Sequence, residues 1–205
     1  TADDAYLDNF TEALPVFEAH EAPFTVYVAP ALTSGEVDPW WEVVEELVAL
    51  GRFPWRGALG RFRAEDHAAV DAAIRRCSVG HLRHRLVDTL SGGERQRSWI
   101  AMMLAQGART LLLDEPISAL DVAHQVEVLD LVHGMCRDEG FSAIVVLHDL
   151  NMAARYCDHV VALGAGRLLL DGPIGALMTP EALLSIYGLP MHVAAHEGHA
   201  FALPR

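Results

Sequence analysis

Two short apolar runs, residues 110–113 and 142–147, each end on polar groups, Asp114-Glu115 and His148-Asp149, and one helical stretch separates them. Leu-rich and β-branched runs of this length, alternating with helices, are the pattern of buried parallel strands joined by right-handed crossovers. In an open α/β sheet, ligands bind beyond the carboxyl ends of the strands. The pattern therefore predicts an α/β fold whose neighbouring strand ends bring Glu115 and His148 to one rim.

The flanking residues extend this reading. Ser91 is placed to cap a helix running to about residue 106, with Gly92 and Gly93 in its first turn. Asp121 caps a helix over 122–139 that Gly140 closes, and a further helix crosses 152–156. A strand is expected over 159–163, a turn over 164–166 and another strand over 167–170. Upstream, Trp41, Val44, Leu47 and Val48 fall at helical spacing before Gly51. A loop is expected over 53–57 and a helix over 66–76. Residues 24–29 alternate as a strand does, then meet Pro30 and a Ser34-Gly35 turn.

Composition narrows the function classes. Of 205 residues, 52% are hydrophobic, enough to bury a core. No run approaches the roughly eighteen apolar residues of a membrane helix, so a soluble chain is expected. The first residues are acidic, unlike a secretory signal. A net charge of −13 argues against nucleic acid, whose affinity rests on Lys and Arg. The acid is concentrated early, with eleven carboxylates in residues 1–60 against Arg52 and Arg56. Cys77, Cys136 and Cys157 have neither paired nor metal-type spacing and are expected as buried free thiols.

Three features carry chemistry. Ser91-Gly92-Gly93-Glu94 at a helix start exposes backbone N–H groups beside the positive end of the helix dipole, which suits an anion. An ordinary capped helix gives the same pattern. Asp114-Glu115-Pro116 places two acids at a strand end, Asp114 to hold Mg²⁺ and Glu115 to polarise an attacking water. Two solvated acids also fit. His148 could reach a γ-phosphate from the next strand or serve as a structural hydrogen-bonder.

Read together, Leu90-Ser91-Gly92-Gly93-Glu94-Arg95-Gln96-Arg97, then Leu111-Leu112-Leu113-Asp114-Glu115-Pro116, Ser118-Ala119-Leu120-Asp121 and His148 resemble the ABC ATPase family over about residues 43–192. There they are the signature motif, Walker B, D-loop and switch histidine. The resemblance implies a RecA-like P-loop core with an inserted helical subdomain and an incomplete amino-terminal lobe. It divides the chain into an atypical acidic segment (1–39), the helical subdomain (40–89), and the signature helix with the rest of the core and a carboxyl-terminal extension (90–205). ATP and Mg²⁺ follow as ligands. Asp114 would hold the metal, and Glu115 and His148 would be catalytic. Ser91, Gly92, Gly93 and Glu94, with Asp121 coupling the sites, would serve the nucleotide of a second ABC subunit in a head-to-tail dimer.

Residues 46–62 resemble the iron–siderophore, haem and cobalamin importers, as do Leu86-Val87-Asp88-Thr89-Leu90, residues 147–158, Met178-Thr179-Pro180 and residues 186–191. The ferric hydroxamate uptake ATPases are the nearest in character. The implied partners are transmembrane permease subunits and, indirectly, an extracytoplasmic substrate-binding protein. The implied place is the cytoplasmic face of the bacterial inner membrane, as a peripheral protein.

The sequence departs from the family in one large respect. Every basic residue is Arg, so Gly-x-x-x-x-Gly-Lys-Ser/Thr, whose Lys reaches the β- and γ-phosphates, is not in it. Gln96 is the first Gln, so the Gln the family has ahead of its helical subdomain is missing as well. Ile117 stands where Thr or Ser is usual, which implies a lost hydrogen bond. A fragment or frameshifted product is expected, the alternative being a degenerate, non-hydrolysing subunit that completes a partner's site. Trp40, Trp41 and Trp55 read as packing residues. His192, His196 and His199 read as a solvated tail, and Arg52, Arg56, Arg61 and Arg63 as a solvated face.

Overall fold

The computed structural model describes residues 43–56, 61–196 and 198–205. The strand expected over 24–29, the Ser34-Gly35 turn, Trp40 and Trp41 lie outside them.

Helix α1 (Val44–Leu50) buries Val44, Leu47 and Val48, the i, i+3, i+4 stripe of its sequence. Residues 53–56, expected as a loop, form a single helical turn, α2 (Phe53–Arg56). Pro54 permits this, because a first-turn N–H has no intrahelical acceptor to lose. Trp55 is exposed; its Nε1–H donates to the Gln106 carbonyl at 2.7 Å, so it is an external brace and no core residue.

Helix α3 (Ala64–Arg76) starts two residues ahead of the expected point. The reason is Asp66, only 2% exposed, whose carboxylate accepts the Arg63 N–H at 3.0 Å and Arg52 Nε–H at 2.8 Å. Arg52 also donates through Nη1 to the Ala105 carbonyl at 2.9 Å. It therefore does not belong to a solvated face, whereas Arg63 does. Two 3₁₀ turns, Gly80–Leu82 and Val87–Thr89, lead into α4 (Gly92–Ala105). Ile100, Ala101, Leu104 and Ala105 seat α4 against α1 and α3.

Strand β1 (Thr110–Asp114), helix α5 (Val122–Asp138) and strand β2 (Ser142–Val146) make the expected crossover, with β1 and β2 parallel from Thr110↔Ser142 to Asp114↔Val146. The expectation of a sheet buried on both faces is corrected. Leu111 is 1% exposed but Leu112 is 70% exposed, and Ile144 and Val146 are exposed too. Helix α5, with Val128, Leu129, Val132 and Met135 buried, lies against one face of the pair.

After helix α6 (Leu150–Tyr156), β3 (His159–Gly164) and β4 (Arg167–Pro173) form an antiparallel hairpin, so the parallel arrangement stops at β2. The cause is the tight turn, with Ala165 at φ 49° and Gly166 at φ 70°, which only antiparallel strands can use. Helices α7 (Ile174–Leu177) and α8 (Pro180–Tyr187) precede a second hairpin, β5 (Met191–His196) with β6 (His199–Pro204). His192, His196 and His199 are exposed as expected, but the segment that carries them is a hairpin and no loose tail: Ala202 joins Leu177, Met178 and Leu183 in a core, with Met191 and Val193 packed against it. Val43–Arg205 clusters as one unit. Of the three thiols only Cys77 is fully buried, and burial pushes it up to about 12; Cys136 and Cys157 are half-buried.

Candidate functional site

The site is built at the carboxyl ends of β1 and β2. Asp114 is the last residue of β1 and is exposed. Glu115 then turns the chain in the left-handed region at φ 44°. For an L-residue this costs on the order of 1–2 kcal/mol. Ser118 holds the turn, its N–H and Oγ–H both donating to the Glu115 carbonyl at 3.2 and 3.1 Å. The turn aims Glu115 across to the next strand, where His148 Nε2 lies 2.7 Å from Glu115 Oε1. That hydrogen bond and the charge of Glu115, with Asp114 adding to it, raise the His148 pKa above its ordinary value.

His148 is itself fixed from the far side. Asp149 caps α6, accepting the N–H groups of Asn151 at 2.8 Å and Met152 at 2.9 Å. Asn151 then clips strand β6, accepting the Ala202 N–H at 2.8 Å and donating to the Ala202 carbonyl at 3.3 Å. The carboxyl-terminal hairpin thus braces the helix that follows His148.

The start of α4 forms the second half. Ser91 and Glu94 make a reciprocal capping box: Ser91 Oγ accepts the Glu94 N–H at 3.4 Å, and Glu94 Oε2 accepts the Ser91 N–H at 2.8 Å. That backbone donor holds the Glu94 carboxyl below its usual range. Both glycines answer to close neighbours. A β-carbon on Gly92 would sit 2.7 Å from Leu120 Cδ2, and one on Gly93 would sit 2.4 Å from His124 Cδ2.

A cleft of about 210 Å³ joins the two halves, lined by Gly92, Arg95, Gln96, Trp99, Glu115, Pro116, Ser118, Ala119 and Leu120. A second, of about 300 Å³, runs from Glu115, Ile117, Ser118 and Gln125 to Val146, Leu147, His148 and Asp149. Glu115 lines both, so the structure brings Gly92, Glu115 and His148 around one strand end.

Asp121 caps α5, its Oδ1 accepting the His124 N–H at 3.0 Å with His124 Nδ1 at 2.7 Å. The backbone donor, then the ring, holds its carboxyl below the usual range. Ile117 is buried, and its carbonyl and that of Leu120 accept from Gln125 Nε2 at 3.3 and 3.0 Å. His124, Gln125 and Trp99 escaped the sequence reading. The available signal was His124 three residues past a capping Asp, where its N–H must meet the cap.

Among the described residues no group of three or more His, Cys, Asp and Glu is arranged to hold a metal. Asp114 offers one exposed carboxylate, which fits a cation that takes its remaining ligands from water and phosphate oxygens. It does not fit a cation held by protein alone.

The profile of the ABC transporter family matches residues 11–118. The ferric enterobactin transport ATP-binding protein FepC of Escherichia coli is 44% identical over 159 residues, 78% of this chain and 57% of that protein. The iron(3+)-hydroxamate import ATP-binding protein FhuC of Bacillus subtilis is 40% identical over 73% of this chain and 56% of its own length. The hemin import ATP-binding protein HmuV of Pseudomonas entomophila is 46% identical over 79% of this chain and 64% of its own length. Among solved structures, CbiO1 of Clostridium perfringens, part of an ABC transporter complex, superposes with a TM-score of 0.61 at 27% identity, covering 70% of this chain and 55% of that one. A transporter of the metal-chelate ABC type in an inward-facing conformation gives a TM-score of 0.75 at 26% identity, covering 82% and 68%. The chain spans little more than half the length of FepC and FhuC. With the α/β P-loop ATPase fold shared with these structures and the motifs gathered around Glu115, the chain belongs to the ABC transporter family.

Proposed function

We propose that this chain carries the hydrolytic and partner-facing part of the ATP-binding subunit of an ABC importer for iron–siderophore complexes. The observation that carries the reading is the 2.7 Å contact of His148 Nε2 with Glu115 Oε1, at a parallel strand end that opens on the start of α4. A carboxylate oriented by an imidazole can take a proton from water, and the second polar group can meet the charge that develops on a transferring phosphoryl. Asp114 would hold Mg²⁺ beside it. Ser91, Gly92, Gly93 and Glu94 would present backbone N–H groups to nucleotide held by a second subunit, and Asp121 would link the two sites.

The sequence has no Lys for a phosphate cradle. Phosphoryl transfer depends on positioning and charge, so the chain needs that cradle from elsewhere. In the import reading, permease subunits anchor the assembly at the cytoplasmic face of the membrane. Among the described residues no helix is long and apolar enough to cross a membrane. The hemin import relative keeps haem as a second cargo reading, since the residues argued above face nucleotide and partner.

Titration of the chain with MgATP should show no micromolar binding; such binding would overturn the statement that a cradle is needed. Fused behind the amino-terminal lobe of a complete ATPase, the chain should hydrolyse ATP. Glu115→Gln in that fusion should then lower the rate at least about 100-fold. A rate equal to the parent fusion would remove Glu115 from the base role.

A further inference from the structure

The first turns of α4 and α5 meet through the imidazole of His124. Gly93 is buried, and a β-carbon there would lie 2.4, 2.9 and 3.0 Å from Cδ2, Cγ and Cβ of His124. No side chain fits at position 93 while the ring stays where it is. The ring is held there by Asp121, whose Oδ1 takes both the ring Nδ1, at 2.7 Å, and the His124 N–H, at 3.0 Å. A residue kept only for packing has no need of that hydrogen bond, and about a third of the His124 side chain remains exposed. The neighbouring contacts have the same sense. Leu120 closes on Gly92, and Gln125 ties the Ile117 and Leu120 carbonyls back to α5.

We propose that His124 is a positioning residue that locks the Ser91-Gly92-Gly93 turn to the loop from Glu115 to Asp121, so that both are presented to a partner as one rigid surface. The inference rests on the reading that this surface faces nucleotide held by a second subunit. Without the ring, the turn would keep only the packing of Leu120 on Gly92 and the longer routes through α4 and α5. The turn could then shift against the loop while each helix stayed intact.

The test compares the full chain with Gly93→Ala, His124→Ala, the double variant and His124→Phe, which keeps a ring but loses the Nδ1 contact. Two readouts are taken, with urea midpoints to discard variants that fail to fold. One is the backbone ¹H–¹⁵N signals of Gly92 and Gly93. The other is ATP-dependent association with a complete ATP-binding subunit of the FepC type. His124→Ala should move both glycine signals, and Gly93→Ala should weaken association about fivefold or more. Gly93→Ala should weaken it less when His124 is already Ala, because only the 3.0 Å approach to the Cβ of residue 124 then remains. His124→Phe should fall between wild type and His124→Ala, because it retains one of the two contacts.

Additive losses from Gly93→Ala and His124→Ala overturn the proposal, and so do unmoved glycine signals in His124→Ala. If the wild-type chain shows no ATP-dependent association, the proposed function fails, and the glycine signals alone then decide whether His124 sets the turn. If wild type and His124→Ala associate equally, the positioning role fails while the function stands.

Discussion

His148 reaches Glu115 across a parallel strand pair, Nε2 to Oε1 at 2.7 Å, although 33 residues separate them in the chain. The hydrogen bond raises the His148 pKa above the ordinary imidazole value of 6.5. A raised histidine binds its proton more tightly folded than unfolded. Its contribution to stability is therefore complete below about 6.5 and is lost as pH climbs through the raised value. An NMR titration of the His148 ring should give a midpoint above that of free histidine. In Glu115→Gln the midpoint should fall back toward it. An unchanged midpoint in that variant would show that Glu115 is not the cause.

Asp66 reverses the sign. The Arg63 backbone N–H and then the Arg52 guanidinium lower its pKa below the ordinary 3.8. A depressed carboxyl stabilises above about 3.8, and the contribution disappears as pH falls through the lowered value. At neutral pH Asp66→Asn should lower the melting temperature, and the difference from wild type should shrink in acid. Arg52→Lys should also lower it. An ammonium cannot place one donor on Asp66 and another on the Ala105 carbonyl in the fork that Nε and Nη1 make. Equal melting temperatures for wild type and Asp66→Asn at pH 7 would contradict this account.

Strand β1 offers a comparison between adjacent residues. Leu111 is 1% exposed and Leu112 is 70% exposed. Leu111→Ala should cost about 2–5 kcal/mol in urea denaturation, as large-to-small core substitutions do. Leu112→Ala should stay within about 0.5 kcal/mol of wild type. A large loss at Leu112 would mean that its face of the strand is covered in solution.

How much of this was legible in the sequence depended on the range of the interactions. Ser91 and Asp121 were readable as caps because the N–H donors they accept from lie three residues away, at Glu94 and His124. The meeting of Glu115 and His148 was readable because two apolar strands with polar ends admit few topologies. The exposed face of β1 was not, because Leu-Leu-Leu reads the same in a strand covered once or twice. Arg52 read as part of a solvated face, since nothing local announces that Ala105 will offer its carbonyl 53 residues on. The β5–β6 hairpin was hidden because the residues that alternate onto its core side, Met191, Val193, Ala200 and Ala202, are few and mostly small, and histidines stand between and beside them. His124 was missed for a related reason: its place against Gly93 exists only once two separate helices are packed.

Gly51 and Gly134 separate two meanings of glycine. A β-carbon on Gly51 would lie 2.1 Å from the Met102 carbonyl oxygen and 3.0 Å from the Gln106 backbone N, so α1 and α4 approach there backbone to backbone. The φ of Gly51 is −55°, which any residue adopts, so the constraint is contact and not conformation. Gly134, inside α5, has nothing within 4 Å of the same position. Gly51→Ala should therefore destabilise by about 1–3 kcal/mol, since the carbonyl it meets belongs to a helix that cannot retreat alone. Gly134→Ala should stabilise by about 0.5–1 kcal/mol, because alanine loses less backbone entropy in a helix. Urea midpoints of the two variants should move in opposite directions. A stabilised Gly51→Ala would mean that α1 is free to shift away from α4, and the seating of the signature helix would then have to come from α3 and the Arg52–Asp66 pair.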